Sequence, residues 1–215
     1  MGDLAGITVV AVEQAVAAPY ASCRLADAGA RVIKVEKPGG DFARGYDRLA
    51  KGESAYFVWL NRGKESVALD LKNAADAALL RAMIGSADVL IQNLGPGVMD
   101  RLGLSLAGFR EANPSLITCS ISGYGESGPR SKQKAYDLLV QAESGLAAIN
   151  GTAEEPARVG VSVCDIAAGM SAHAAILQAL FARERTGPQG TGKGRHIAVS
   201  LYGAMADWMN VPMMQ

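Results

Sequence analysis

Short apolar runs alternate with longer segments of helical character along this chain. Runs typical of buried strands are Ile7–Val12, Arg31–Val35, Ser66–Leu71, Val89–Gln92, Leu116–Ile121 and His196–Leu201. Helices are predicted over Pro19–Ala28, Ala74–Ile84, Leu106–Ala112, Tyr136–Ala148 and Ile166–Arg185. Strands that are apolar throughout and separated by helices predict an α/β fold with a Rossmann-like, doubly wound, mostly parallel sheet. Such sheets bind ligands at the carboxyl ends of their strands.

Composition narrows the class of protein. Of the 215 residues, 49% are hydrophobic and 20% are charged, which is typical of a soluble globular domain. Lys plus Arg equals Asp plus Glu at 21 each, so no net field attracts nucleic acid or an anionic membrane. The longest uncharged run, Ile166–Ala182, is too short for a membrane span. With three unpaired cysteines and no signal peptide, we expect a cytoplasmic protein without disulfides or a metal site.

Two glycine motifs resemble nucleotide sites but lack the required context. Gly123–Gly128 matches GxGxxG and follows a predicted strand, yet the polar segment Pro129–Lys134 follows it where a helix should begin. Gly187–Lys193 matches the first seven positions of a P-loop, but Gly194 stands where Ser or Thr is needed, and a helix precedes the motif. We therefore predict a loop and a turn, with neither NAD nor flavin bound.

Asp165 lies where an extended stretch turns into a long apolar helix. One interpretation is a helix N-cap, a position that Asp favours. The other is a nucleophile: helix amides favour the carboxylate form, so Asp165 is expected to be ionised at neutral pH. A carboxylate can attack a thioester and be regenerated, which divides a difficult acyl exchange into easier steps. The residue alone leaves both interpretations open.

An ordered series of blocks decides between them. The series comprises Leu25–Asp41, Asn61–Lys72, Asn93–Leu104, Ser120–Pro129, Ala135–Gln141 and His196–Leu201. In this order the blocks resemble the class III CoA-transferase family (CaiB/BaiF-like proteins), which includes formyl-CoA and carnitine CoA-transferases and the α-methylacyl-CoA racemases. The resemblance extends from about Leu4 to Ala204.

The resemblance implies a function and a set of site residues. Its members transfer CoA from an acyl-CoA to a free carboxylic acid, and their nucleophile matches Asp165, which would pass through an acyl anhydride and an aspartyl-CoA thioester. Coenzyme A is the bound substrate, with no metal or redox cofactor. The implied CoA contacts are Lys37, Leu69, Asp70, Leu71, Lys72, Asn93, Leu94, Gly95, Arg101, Lys134, Ala135, Tyr136 and Asp137. The cations among them suit the phosphates of CoA.

Details of the resemblance favour one branch. A racemase needs a histidine where this chain has Tyr136, so that reading lacks its base. The segments Val12–Tyr20 and Gly40–Asp47 are most similar to transferases acting on C4–C5 dicarboxylates, and Arg44 is a candidate for binding such a carboxylate. Glu36, which ends the second strand, is a candidate for contacting a ribose.

The length of the chain sets the expected domain organisation. Family members are nearly twice as long, so we expect residues 1–200 to form the CoA-binding large domain and residues 201–215 to begin the segment toward an absent small domain. The family forms homodimers; a second polypeptide supplying the other half is the alternative. A non-catalytic CoA-binding fragment therefore stays open as a different function, and we expect little turnover by this chain alone.

Overall fold

The computed structural model of the protein describes residues 2–185 and 190–214. Its strands are β1 (Thr8–Val12), β2 (Arg31–Glu36), β3 (Lys64–Ala68), β4 (Val89–Gln92), β5 (Ile117–Ser122) and β6 (His196–Ser200). They form one sheet in the order β3-β2-β1-β4-β5-β6, and all neighbouring strands run parallel. The predicted α/β fold with a doubly wound parallel sheet is confirmed. The winding reverses between β1 and β4, where such sheets open a crevice for ligands.

Helices cover both faces of this sheet. They are α1 (Ala17–Asp27), α2 (Ala55–Asn61), α3 (Ala74–Gly85), α4 (Val98–Arg101), α5 (Leu106–Ala112), α6 (Asp137–Glu143), α7 (Leu146–Asn150), α8 (Val163–Glu184), α9 (Leu201–Trp208) and α10 (Asn210–Met214). One apolar core lies under α1, α8 and α9, and the other lies under α3 and α5. Alternate residues of β1 serve both cores, since Val9 and Ala11 face the first and Val10 and Val12 face the second.

The packing of α1 against α8 depends on Gly169. A β-carbon at this position would lie 2.7 Å from the carbonyl oxygen of Ala17, closer than atoms in contact can approach. The glycine therefore lets the two helices pack closely. Their N-terminal ends lie at the same edge of the sheet as the end of β1.

Several boundaries differ from the predictions. The third strand was predicted at Ser66–Leu71 but begins at Lys64, whose side chain is buried by ion pairing with Glu13 and therefore escapes a hydrophobicity pattern. The predicted helix Tyr136–Ala148 is divided into α6 and α7 because Gly145 adopts a φ of +82° between them. Helix α2 is absent from the predictions, since its aromatic residues have low helix propensity.

The helix α8 is long and apolar enough to cross a membrane by length and composition. Its buried residues nevertheless pack into the protein core with α1, α9 and strands β5 and β6. The small residues Ala167, Ala168 and Ala172 occupy this buried face. Such burial is typical of the central helix of a globular domain.

The two glycine motifs and the last residues can now be located. Gly123–Gly128 forms a loop after β5, as predicted. The next helix along the chain begins only at Asp137. Gly187–Lys193 lies partly outside the described residues, so its turn stays a prediction. In the segment 201–215, α9 buries Leu201 and Met205 in the same core as α8, while Gln215 lies outside the described residues.

Candidate active site

A cleft at the carboxyl edge of the sheet brings the predicted site residues together. Its smaller part, about 280 Å³, is lined by Lys37, Leu69, Asp70, Leu71, Lys72 and Leu94. Its larger part, about 1680 Å³, is lined by Asn93, Leu94, Gly95, Arg101, Lys134, Ala135, Tyr136, Asp137 and Asp165. Both parts share Gln14, Leu94 and Val98 and therefore adjoin each other. The cleft lies at the crevice between β1 and β4 that the strand order predicts.

The loop after β1 forms the floor of this cleft and is held by side chains. The Asn93 carboxamide oxygen accepts from the Gln14 N–H at 2.9 Å, and its Nδ2 donates to the Gln14 carbonyl at 2.8 Å. The Ala15 N–H donates to Asp41 Oδ1 at 3.2 Å. These bonds hold Ala15 at a φ of 62°, a strained value for a residue with a β-carbon. The Asn93 side chain thus shapes the loop, which leaves its backbone to face the cleft.

A buried ion cluster supports the same loop from below. We define the buried ion cluster as Glu13, Lys34, Asp41 and Lys64. Lys34 Nζ lies 2.9 Å from Asp41 Oδ2, and Lys64 Nζ lies 2.7 Å from Glu13 Oε1. All four side chains are at most 1% exposed. Burial acts to raise the pKa of Glu13, but Lys64 and Lys34 outweigh it and lower the pKa. The charges of the two acids and the two bases cancel, so the cluster holds the loop in place without a net buried charge.

The predicted phosphate-binding cations are available for a ligand. Lys37, Lys72 and Lys134 are exposed, and in the described chain their side chains form neither hydrogen bonds nor ion pairs. Within residues 2–185 and 190–214, the Arg101 side chain donates only to the carbonyl oxygen of Pro96, at 3.2 Å. These cations lie around both parts of the cleft, a distribution that suits an elongated anion with more than one phosphate.

The segment Lys134–Asp137 is brought over the cleft by a close approach between two backbones. A β-carbon at Gly123 would lie 2.3 Å from the β-carbon of Ala135, so only glycine fits beneath this segment. Tyr136 then projects outward with 68% of its surface exposed. Gly123, the first glycine of the GxGxxG match, is therefore explained by packing and not by a dinucleotide.

Asp165 occupies the third position of α8 and is not the N-cap; Ser162 takes that position without a side-chain cap bond. The Cys164 N–H donates to Asp137 Oδ1 at 2.7 Å, and the Asp165 N–H donates to the same oxygen at 3.3 Å. Burial, assisted by the negative charge of Asp137, raises the pKa of Asp165 to about 7. The expectation that helix amides keep Asp165 fully ionised is wrong, because Asp137 accepts those amides instead.

Glu36 and Arg44 do not have the roles suggested by the sequence. Arg44 donates to both carboxylate oxygens of Glu36, at 2.9 and 2.7 Å, and stacks over the ring of Phe57. Ser66 and the Asp41 N–H donate to the same carboxylate. Burial acts to raise the pKa of Glu36, but these donors lower it to about 2. Glu36 is thus engaged within the protein instead of facing a ribose, and Arg44 is engaged instead of facing a substrate carboxylate.

Sequence reasoning missed other residues that line the larger part of the cleft. Gln14 and Tyr46 lie near the end of β1 and the 3₁₀ turn Phe42–Gly45. Burial, with Asp41 and Asp165 nearby, raises the pKa of Tyr46 to about 12, so its hydroxyl stays protonated. Arg158 lines the same cavity from the loop before α8 and has no partner in the described residues. Gln14 is the second residue after β1, and that position was the available signal.

The fold and site define a class of α/β proteins with a ligand cleft at the carboxyl edge of a parallel sheet and a carboxylate beside it. The model of CoA-transferase family III matches residues 4–215, and the chain belongs to that family. It is 43% identical over 204 residues to the acetyl-CoA:oxalate CoA-transferase of Acetobacter aceti, covering 94% of this chain and 51% of the relative.

Other relatives agree. The succinyl-CoA:glutarate CoA-transferase of Mus musculus is 37% identical over 190 residues, which cover 87% of this chain and 44% of the relative. The crystal structure of a CAIB/BAIF family protein from Brucella suis superimposes with a TM-score of 0.91 at 36% identity, covering 99% of this chain and 57% of that chain. The chain thus spans about half the length of the curated relatives it matches. The predicted family is confirmed.

Proposed function

We propose that this chain takes part in moving CoA from an acyl-CoA donor to a free carboxylic acid, with Asp165 as the covalent nucleophile. The observation that carries the proposal is the convergence on one cleft of Asp165, the unpaired cations and the ends of β1 to β4. Family membership supports CoA transfer as the chemistry. An Asp165 with a pKa of about 7 is partly ionised at neutral pH and is more basic than an ordinary carboxylate.

The proposed chemistry is balanced without a redox partner. An Asp165 oxygen attacks the thioester carbonyl and CoA leaves as thiolate, giving a mixed anhydride. The thiolate attacks the aspartyl carbonyl and releases the donor acid, which leaves an aspartyl-CoA thioester. The acceptor carboxylate attacks that thioester, which expels the CoA thiolate and forms a second anhydride. The thiolate then takes the acceptor acyl group and frees Asp165.

The proposed acceptor is a C4–C5 dicarboxylate. One relative is named for glutarate, and the chain also has a cation suited to a second carboxylate. Since Arg44 is paired with Glu36, we assign this role to Arg158, which lines the cavity that holds Asp165. An Arg158→Gln variant should raise the KM for glutarate while leaving the KM for butyrate unchanged. Equal effects on both acceptors would contradict this assignment.

The cellular setting is part of the proposal. Cys23, Cys119 and Cys164 are unpaired and buried, which supports a reducing, cytoplasmic location. We propose that the active form is a homodimer, as the family resemblance implies, with a complex with a second polypeptide as the alternative. The sheet domain over residues 1–200, with 201–215 leading out of it, is the proposed unit that binds CoA.

The test is a trapping experiment on this chain alone and with a relative's C-terminal half supplied in trans. Hydroxylamine converts an activated Asp165 carbonyl to a hydroxamate, which intact-mass and peptide analysis would find after incubation with succinyl-CoA. Calorimetric titration with CoA and with NAD runs in parallel. Binding of CoA with an unmodified Asp165 in both samples would favour the non-catalytic CoA-binding alternative. Binding of NAD but not CoA would remove the transferase proposal.

A further inference from the structure

The N-terminus of α8 is capped by a residue of another helix. The first amides of any helix lack partners within it. Here Asp137, the first residue of α6, accepts the N–H groups of Cys164 and Asp165 with its Oδ1, at 2.7 and 3.3 Å. The Val163 N–H donates to the Val161 carbonyl at 2.8 Å. The amide donors that open α8 are thereby all used within the protein.

The other carboxylate oxygen of Asp137 is fixed as well. Its Oδ2 accepts from Gln141 Nε2 at 2.6 Å, and Gln141 is fully buried. The Gln141 Oε1 accepts from the Val159 N–H at 2.8 Å, which fastens the segment leading into α8. Asp137 is therefore held rigidly between α6 and α8, and its orientation is set by the fold without any bound ligand.

This arrangement has a direct effect on Asp165. A carboxylate in the first turn of a helix is ordinarily stabilised by the amides of that turn. Those amides are already bound to Asp137, and no hydrogen bond reaches the Asp165 carboxylate from residues 2–185 and 190–214. Building on the proposed function, we infer that Asp137 is a positioning residue, which takes the amides of α8 and leaves the Asp165 carboxylate unsaturated and free to attack a thioester.

The charges around Asp165 agree with this geometry. The groups that face it are Asp137 from α6, Tyr46 after the 3₁₀ turn, and Cys164 on α8 itself. Burial raises the pKa of both Tyr46 and Cys164 to about 12, so both are neutral at physiological pH. Tyr136 and the cation Arg158 line the same cavity. Among the facing groups, Asp137 therefore supplies the negative charge.

The experiment follows the Asp165 carboxyl carbon by NMR across pH 4–9. Asp137→Asn keeps a carbonyl oxygen for the two amides and removes the charge, so the Asp165 midpoint should fall by at least about one unit, a tenfold change in proton affinity. Asp137→Ala also frees the amides, so the midpoint should fall further. Asp207→Asn on exposed α9 is the matched control and should leave the midpoint unchanged. An unchanged midpoint in both folded Asp137 variants would overturn the inference.

A measurement on the unmodified chain covers the case in which the variants do not fold. The amide protons of Cys164 and Asp165 should exchange slowly with solvent, because Asp137 accepts both of them. Rapid exchange of both amide protons in the folded chain would overturn the inference. The hydroxylamine adduct is measured on the same samples, and its pH profile should move with the Asp165 midpoint. If the midpoint moves but no adduct forms in the parent chain, Asp137 keeps its positioning role and the proposed reaction fails.

Discussion

Two carboxylates beside the same cleft differ in their hydrogen-bond donors and in their pKa values. Glu36, at the end of β2, has a side chain only 2% exposed and accepts hydrogen bonds from Arg44, Ser66 and the Asp41 N–H. Asp165, at the start of α8, accepts none from the described residues. The pKa of Glu36 is lowered to about 2, whereas the pKa of Asp165 is raised to about 7.

The comparison separates two effects on the pKa of a carboxyl group, which are burial and the presence of hydrogen-bond donors. Burial acts to raise both pKa values, and it is the first cause in each case. Donors reverse that effect at Glu36, while at Asp165 the nearest carboxylate adds to it. A buried acid that is rich in donors stabilises the fold. A buried acid deprived of them is destabilising and chemically available, a combination found at functional sites.

Replacing Asp165 by Asn should give the largest effect. With the carboxylate gone, the covalent route is lost, and we expect CoA transfer by the assembled enzyme to fall at least about 10³-fold. CoA binding, measured by calorimetry, should persist because the cations are untouched. Asp207→Asn serves as the control with full transfer. Retention of transfer by Asp165→Asn would exclude Asp165 as the nucleophile.

The same variant should be more stable than the parent chain at neutral and alkaline pH, with a gain that grows from about pH 4 to about pH 7. The pKa of Asp165 rises from an ordinary 3.8 to about 7 on folding, so its protonated form favours the fold below about pH 4 and that contribution is lost as the pH rises through 7. In urea unfolding, the free energy of unfolding of Asp165→Asn should therefore exceed that of the parent chain by about 2–4 kcal/mol at pH 8 and by little at pH 4. An equal gain at both pH values would contradict the raised pKa.

Replacing Glu36 by Gln should act in the opposite direction. Loss of the buried carboxylate leaves Arg44 without its partner, and we expect the free energy of unfolding at pH 7 to fall by about 1–3 kcal/mol, since Arg44 is 41% exposed. The depressed pKa means that this contribution is lost as the pH falls from about 4.5 to about 2. The difference in the free energy of unfolding between the parent chain and Glu36→Gln should therefore disappear across that pH range.

An exposed ion pair provides the matched control for Glu36. Glu65 pairs with Arg31 at 2.8 Å, with both side chains more than half exposed. Glu65→Gln should leave the free energy of unfolding nearly unchanged. If Glu36→Gln and Glu65→Gln lower the free energy of unfolding equally, the hydrogen-bond donors around Glu36 do not account for its contribution to stability.

The smallest effect is expected at Ser66. Its hydroxyl donates to Glu36 Oε1 at 2.6 Å, one of several donors to that carboxylate. Ser66→Ala should cost about 1 kcal/mol in urea unfolding and raise the pKa of Glu36 without restoring its ordinary value. Ser86→Ala, which removes an exposed bond to the Met83 carbonyl, should be nearly silent. No effect of Ser66→Ala would show that Arg44 and the Asp41 N–H are sufficient to lower the pKa of Glu36.

The fold was predictable because a parallel sheet covered on both faces needs strands that are apolar throughout. The runs at β1, β4 and β5 have this character and lie close to their predicted positions. The start of β3 was missed because burial there depends on an ion pair between Lys64 and Glu13, 51 residues apart. Hydrophobic patterning has no means of detecting a charge that is buried by a distant partner.

The candidate site was predictable in outline and unpredictable in its electrostatics. The ends of parallel strands meet at one edge, so Lys37, Asn93 and their neighbours were expected to converge. Burial, assisted by the charge of Asp137, raises the pKa of Asp165, and the contact of Asp137 with the α8 amides joins residues 27 and 28 positions apart. The pairing of Arg44 with Glu36 likewise follows from a local turn that the pattern did not predict.

The buried ion cluster beneath the β1 loop constrains how this lineage can drift. Its four members are inaccessible to water, so a codon change that neutralises one of them leaves its partner charged in a dry interior, at a cost of about 3–5 kcal/mol. That is a large share of the stability of a typical domain. Exchanging a whole acid–base pair for apolar residues carries little such cost. Viable descendants should therefore keep all four or replace them in pairs, and an ancestor bearing a single replacement should be a poor intermediate.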